Sequence, residues 1–293
     1  MSVLKVALLG RSLAHSISPS VHQVLFPIVQ AKLDSPFKAI EYSNIECRDE
    51  EEFEAIVQKG STQNISGFNV TFPYKYVATQ LTPHISEIAK AINSVNTIRC
   101  ISGLQATSTD GAGFLFSLTR SFPDFRADEY TLLILGAGGA ARAVYGAITN
   151  LGWKKVIVAA RSITEARRSF PDVSIAEMDA ISRESGKYFV IQATPVGQRS
   201  RKSLLEQFEW HADDVAVDLV YNPRRTRFLE IASSNGAMTI DGLGMLIEQA
   251  ALSQYFWMIG EESQNSLLTT DEFRSLHNSL STLVAPRWDA FDI

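Results

Sequence analysis

The chain has 293 residues, near twice a typical single-domain length, which favours two domains sharing a cleft. Hydrophobic residues make up 45% and charged residues 20%, globular proportions that exclude a disordered, collagen-like or coiled-coil chain. A formal net charge of −5 lacks the basic excess that neutralising a phosphate backbone needs, so nucleic acid is not expected as a partner.

Val3 to Leu9 is apolar but interrupted by Lys5, too short for a signal-peptide core or a membrane helix, and reads as a buried first strand. Ser18-Pro19 then looks like an N-cap and first helical position for a helix through Ala31. PFKAIEYSNI alternates like a strand, DEEEFEAIVQKG like a short acidic helix, and Ile65 to Thr71 like another strand ending at Phe72-Pro73. Cys47 and Cys100 are the only cysteines, with no CxxC or Cys/His spacing, which suits a reducing cytoplasm and predicts no disulfide or metal site. His15, His22, His84, His211 and His277 show no metal spacing either and receive no catalytic role.

After the polar stretch from Ser121 to Tyr130, residues Thr131 to Leu135 form a compact apolar strand that runs into glycines. Further strands over 155–160, 188–193 and 215–220 alternate with helical segments, the pattern of parallel βαβ units. Met245 to Met258 predicts a strongly apolar helix and Thr270 to Leu283 a second one, both able to pack back on the first domain.

Gly136, Gly138 and Ala141 make a GxGxxA pattern between a strand and a helix, with a second strand at the right distance. Such a loop lets backbone N–H groups approach a pyrophosphate at a helix N-terminus, and dinucleotide binding is expected over an ordinary glycine turn. The second strand ends Ala159-Ala160-Arg161-Ser162, with an arginine where NAD enzymes usually place an acid. Arg161 can pair with a 2′-phosphate and stack on adenine, so NADP is favoured over NAD. A solvated surface charge is the plainer alternative, and Glu165 would repel a phosphate if it faced the same pocket.

HSISPSVH (15–22), GFNVTFPYK (67–75) and STDGAGF (108–114), followed in order by INSVNTI, GAGGAARA, ATPVG, DLVYNPRRT and GLGMLIEQAALSQ, resemble the shikimate dehydrogenase family over most of the chain. The resemblance implies a two-domain α/β protein, a substrate α/β domain plus a Rossmann-like parallel-sheet cofactor domain. The expected division is a substrate domain over 1–112, an NADP-binding domain over 113–241, and C-terminal helices over 242–293 returning to the first. It further implies reversible reduction of 3-dehydroshikimate to shikimate by NADPH, toward chorismate and the aromatic amino acids, in a cytoplasmic monomer or homodimer without membrane attachment.

By that resemblance Lys75 and Asp110 are the catalytic pair that handles the hydroxyl proton as hydride moves. An ordinary lysine has a pKa of about 10.4, so a neutral base needs desolvation or nearby positive charge, and a neighbouring carboxylate acts the opposite way. Which member is the formal base stays open. Ser16, Ser18 and Thr71 are implied to hold the substrate carboxylate, although locally Ser18 is equally readable as a helix cap. Asn96, Tyr221 and Gln249 would bond ring hydroxyls, with Asn69 in support; singly they also read as a turn residue, a tethered core phenol and an exposed helix residue. For the cofactor the resemblance implies Gly136, Ala137, Gly138, Gly139, Ala140, Arg161, the Thr194-Pro195-Val196 loop, and Gly242 and Met245 beside the nicotinamide.

The chain departs from the family pattern at Ala106, Ser108, Gln192 and the Ala160-Arg161-Ser162 run. None of these removes a proposed catalytic group. The alternatives are an NAD-dependent quinate or quinate/shikimate dehydrogenase and a noncatalytic ligand sensor on the same fold.

Overall fold

A computed structural model describes residues 2–14, 16–60 and 62–284. His15, within the first family-like segment, and the last nine residues of the expected C-terminal region lie outside the described residues. By internal packing the chain divides into two units, Met1–Phe116 with Ile247–Leu276, and Ser117–Leu246 with the segment from His277 onward.

The first unit contains β1 (Ser2–Gly10), α1 (Ser18–Leu33), β2 (Phe37–Glu46), α2 (Glu50–Gly60), β3 (Gly67–Val70), β4 (His84–Ile85), α3 (Glu87–Ala91), β5 (Thr97–Arg99) and β6 (Gln105–Thr107), and α4 (Asp110–Ser121) starts in it. The sheet order is β2-β1-β3-β5-β6-β4. β1 pairs in parallel with both β2 and β3, while β5 runs antiparallel to β3 and to β6. β1 is buried nearly throughout, as a central strand covered on both faces must be. β2, at the edge, keeps most side chains partly or fully exposed. The core joins Leu9, Phe53, Phe68, Tyr74 and Ile98.

The reversal at β5 positions the site. The carboxyl ends of β1 and β3, the start of β5 and the end of β6 all meet at one sheet edge, where Val70 N donates to Asn96 O at 2.8 Å and Thr71 N to Leu9 O at 2.9 Å. The segments that leave β1, β3 and β6 at that edge, and the one that enters β5 there, each carry a predicted site residue.

The second unit contains β7 (Tyr130–Leu135), α5 (Gly139–Ile148), β8 (Lys155–Ala160), α6 (Ile163–Ser169), β9 (Ser174–Glu177), β10 (Lys187–Gln192), β11 (Val215–Asp218), α7 (Arg227–Ser234) and β12 (Met238–Ile240). Its sheet is parallel throughout, in the order β12-β11-β10-β7-β8-β9. Chain order reverses between β7 and β10, so this is the doubly wound Rossmann arrangement with its switch point at those two strands. β7 is buried at all six positions, because helices cover both faces of such a sheet.

Two helices follow, α8 (Leu243–Ile259) and α9 (Thr270–Leu280), the latter extended by a single 3₁₀ turn over Ser281–Leu283 where the sequence predicts unbroken helix. α8 buries side chains all round, including Leu243, Ile247, Ala250, Ala251 and Trp257, as its uninterrupted apolar run requires. The Trp257 ring lies where a side chain on Gly67 would stand, and its Nε1 donates to Ile98 O at 2.9 Å. Among the described residues no helix is long and apolar enough to cross a membrane.

Candidate active site

In the first unit, Lys75 follows β3 on a turn anchored by its neighbour Tyr74, which is fully buried, stacks on Phe53 at 4.8 Å and donates to Cys47 O at 2.7 Å. Val95 N donates to Lys75 O at 2.9 Å, tying this turn to the segment that carries Asn96. Asp110 is the first residue of α4, where the helix N-terminus favours a carboxylate. Lys75 Nζ stands 2.5 Å from Asp110 Oδ2, with side chains 18% and 7% exposed.

Asn96 organises the rest. Its Nδ2 donates to Asp110 Oδ1 at 2.8 Å, to Thr109 Oγ1 at 2.9 Å and to Gln249 Oε1 at 3.4 Å, while its Oδ1 accepts from Thr109 N at 2.8 Å. Both Asp110 carboxylate oxygens are thereby occupied, one by a cation and one by an amide, which fixes the plane of the group. Gln249 reaches this cluster because Gly113 on α4 leaves room for the backbone of α8.

Asn69, on β3, lies behind the cluster. Its Nδ2 donates to Asn96 O, Thr97 Oγ1 and Ser253 Oγ at 3.1–3.2 Å, and its Oδ1 accepts from Tyr42 at 2.9 Å. Tyr42 stacks on His22 with ring centroids 4.3 Å apart, and complete burial pushes the imidazole down to about 3. His22 is therefore a neutral part of the wall, one helical turn after Ser18.

Ser16 Oγ donates to Ser18 Oγ at 3.1 Å and accepts from Ser18 N at 3.3 Å, so the two predicted carboxylate ligands form one polar pair at the start of α1. The structure corrects the capping assignment for Ser18: Ile17 holds the N-cap position, Ser18 and Pro19 are already helical, and no side chain caps the helix. The helix begins one residue earlier than the Ser-Pro pattern suggests, because Pro is accommodated in the first turn wherever no N–H bond is needed. Thr71 leaves β3 beside Gly10, where a Cβ would come within 2.5 Å of the Thr71 methyl.

In the second unit the switch point carries the predicted cofactor loop. Gly136 has φ +110°, a backbone that favours glycine, and a Cβ there would stand 2.9 Å from Thr194 Cγ2. Gly138 is the N-cap of α5, and a Cβ on it would meet nothing within 4 Å. A bare, open backbone at the head of a helix is what a pyrophosphate needs for close approach, and Ala137, Gly139 and Ala140 keep the surrounding turn small. The chain's residues therefore fit a dinucleotide.

Arg161 is exposed immediately after β8, and Ser162 caps the short α6 by accepting from Glu165 N at 3.4 Å. The Thr194-Pro195-Val196 segment follows β10. Gly242 packs against the carbonyl of Leu219 so closely that no side chain fits, which sets the head of α8, with Met245, beside the loop that carries Tyr221. Asp241 supports this junction: its Oδ1 accepts from Leu243 N at 3.0 Å and its Oδ2 from Arg224 Nε at 2.7 Å. Burial opposes its ionisation, but His277 and Arg224 together hold the carboxyl below the usual carboxylate range.

The predicted residues thus fall into two groups. Lys75, Asp110, Asn96, Gln249 and Asn69 form one hydrogen-bonded cluster, with Ser16, Ser18 and Thr71 in the same unit, and the others belong to the second unit. Thr109, Ser253, Gln192 and Asp218 are structurally central, yet sequence reasoning does not single them out as site residues. An acid closing the otherwise apolar strand VAVD is the readable signal for Asp218.

A family model described as the shikimate dehydrogenase substrate binding domain matches residues 8–98. The chain is 33% identical over 273 residues to the shikimate dehydrogenase (NADP(+)) of Methanopyrus kandleri, covering 88% of this chain and 91% of that one. Among solved structures, a chorismate mutase/shikimate 5-dehydrogenase fusion protein from Clostridium acetobutylicum superimposes with a TM-score of 0.79 at 28% identity, covering 97% and 99% of the two chains. Shikimate 5-dehydrogenase from Thermus thermophilus, in complex with NADP(H) and shikimate, gives a TM-score of 0.75 at 27% identity, covering 94% and 99%. This chain belongs to the shikimate dehydrogenase family.

Proposed function

We propose that this chain catalyses the reversible reduction of 3-dehydroshikimate to shikimate with NADPH. The observation that carries the reading is the contact of Lys75 Nζ with Asp110 Oδ2 at 2.5 Å, held by Asn96. It lies at the sheet edge from which Ser16, Ser18 and Thr71 also depart. A cyclohexene acid fits that inventory: hydroxyls and a helix start for its carboxylate, amides for its ring hydroxyls, and a proton-handling pair for the reacting oxygen.

NADPH, when bound, supplies the hydride to the ketone carbon. The Lys75–Asp110 pair supplies the proton to the ketone oxygen, which becomes the hydroxyl, and in the reverse direction takes that proton back. Asn96 and Gln249 orient the ring through its remaining hydroxyls, so that the reacting oxygen faces the pair. Gly136, Gly138 and the head of α5 would hold the pyrophosphate, the Thr194–Val196 segment would flank the cofactor, and Arg161 would meet the 2′-phosphate. Buried, unpaired Cys47 and Cys100, whose thiols burial pushes up to about 11 and about 12, support a reducing cytoplasm as the working compartment.

Initial rates with shikimate and quinate, each with NADP⁺ and NAD⁺, test this reading. Turnover is expected chiefly with shikimate and NADP⁺. Binding of shikimate without turnover under any combination would discard the catalytic assignment and favour a sensor.

A further inference from the structure

Gln192 and Asp218 end the neighbouring parallel strands β10 and β11 and face each other in register. Both side chains are fully buried. A buried amide beside a buried carboxylate is tolerated only when the polar atoms find partners. Here most of those partners belong to the loops that leave the two strands.

Gln192 Oε1 accepts from Thr194 N and from Thr194 Oγ1, each at 2.6 Å. Its Nε2 donates to Val196 O at 2.8 Å and to Asp218 Oδ1 at 3.3 Å. Thr194 Oγ1 in turn accepts from Val196 N at 3.2 Å. The amides of residues 194 and 196 and the carbonyl of residue 196 therefore all end on Gln192 or on the hydroxyl that it holds. The outer side of this segment meets the dinucleotide loop, since a Cβ on Gly136 would stand 2.9 Å from Thr194 Cγ2.

On the far side of the node, Asp218 Oδ1 accepts from Val220 N at 2.9 Å, and Oδ2 accepts from Thr226 Oγ1 at 2.6 Å. Thr226 also caps α7. The same carboxylate thus fixes the backbone next to Tyr221 and the start of the following helix.

We propose that Gln192 is the positioning residue for cofactor binding: its buried amide sets the Thr194–Val196 segment against the dinucleotide loop, braced from beneath by Asp218. This rests on the dehydrogenase reading for its ligand but not for its geometry. Gln192 touches no reacting atom in this scheme, so its removal should act on cofactor affinity and on loop order, not on the proton step.

Gln192→Leu and Gln192→Asn test it, with two readouts besides activity. Hydrogen exchange in the cofactor-free protein reports the amides of Thr194 and Val196, and fluorescence titration reports the dissociation constant of NADPH. Losing several loop hydrogen bonds should speed exchange at both amides and weaken NADPH by about tenfold or more in the Leu variant. Shikimate affinity without cofactor should change by less than about twofold. The Asn variant keeps the amide but is one methylene short, so it should fold and lose affinity by roughly three- to tenfold. Wild-type exchange and wild-type NADPH affinity in either folded variant would overturn the proposal. Wild-type protein that takes up no NADPH would overturn the dehydrogenase reading and the cofactor role with it, a result distinct from any effect of residue 192.

Discussion

Gly113 on α4 lies so close to Gln249 on α8 that a Cβ on the glycine would stand 2.7 Å from Gln249 N and 3.0 Å from its Cα. The obstructing atoms are Gln249 backbone and its Cβ, none of which can swing away, so the helices must separate if any side chain is added. Asp110 begins one of these helices and Gln249 sits on the other. One missing methyl group therefore sets the spacing between a catalytic candidate and a substrate-binding candidate.

Gly113→Ala should lower stability by about 1–3 kcal/mol through overpacking. It should also raise KM for shikimate, because the Asn96 to Gln249 contact is already long at 3.4 Å. Denaturant melts and initial rates on the same preparation check both effects. A variant with unchanged KM would show that Gln249 does not meet the substrate.

Lys75→Ala should leave the fold intact and reduce kcat by roughly 10²- to 10⁴-fold, the usual contribution of a positioned proton-transfer group. KM should change far less, since proton delivery is felt chiefly in the transition state. Asp110→Asn should also lose rate while retaining its hydrogen bond geometry with Asn96 in part. Turnover near that of the parent in Lys75→Ala would discard the pair as the proton-handling group.

Ser18→Ala separates two roles that the sequence leaves equal. Because Ile17 and not Ser18 occupies the N-cap, and the Ser18 hydroxyl bonds Ser16, stability should stay within about 0.5 kcal/mol of the parent. KM for shikimate should rise by roughly three- to tenfold through the lost hydroxyl donor. A fall in melting temperature at constant KM would invert the assignment.

Arg161→Ala should weaken NADP and spare NAD. A charge-assisted contact is worth about 1.5–3 kcal/mol, so a loss of roughly ten- to a hundredfold is expected for the phosphorylated cofactor. Dissociation constants of both cofactors at fixed ionic strength check this, because salt alone weakens phosphate contacts. Equal losses for both cofactors would mean adenine stacking, with no recognition of the 2′-phosphate.

Asp218 gives a pH dependence of known sign. Complete burial outweighs the hydrogen bonds from Thr226 and Val220 and raises its carboxyl from 3.8 to about 7. Between those values the folded protein holds a proton that the unfolded chain releases, so this group's contribution to stability falls as pH rises toward about 7 and then levels. At about 1.4 kcal/mol per pH unit the full change is on the order of 4 kcal/mol. Asp218→Asn cannot titrate, so its stability relative to the parent should climb with pH over that window. A flat difference between the two denaturation series would contradict it.

Glycine requirements are the most legible part of the chain, because they are local. The pattern after TLLIL demands a turn, and Gly136 indeed has φ +110°. The strands that apolar runs single out lie within one or two residues of β1, β2, β3, β7, β8, β10 and β11, whereas the short β4, β5, β6, β9 and β12 are not singled out; the arginine just after β8 can be read from its place in the βαβ unit. Partners distant in sequence are not legible. Asn69 meets Ser253 across 184 positions, and no spacing rule predicts that contact. Gln192 shows the limit best: by motif it is only a departure from the family pattern, whereas its buried side chain, seen in space, ties the loop after β10 to the strand pair. Ser18 fails for the opposite reason, since a local rule is available and the helix begins one residue before it applies.

The hairpin of β5 and β6 has its turn, with Ser102 at φ 61° and Gly103 at φ 107°, at the sheet edge opposite the one where Asn96 and Asp110 meet. A Cβ on Gly103 would touch nothing within 4 Å. The hairpin therefore puts its open turn and its site-bearing ends at opposite edges of the sheet, with Ile101 O and Leu104 O held by Arg99 and Thr82 on either side of the exposed tip.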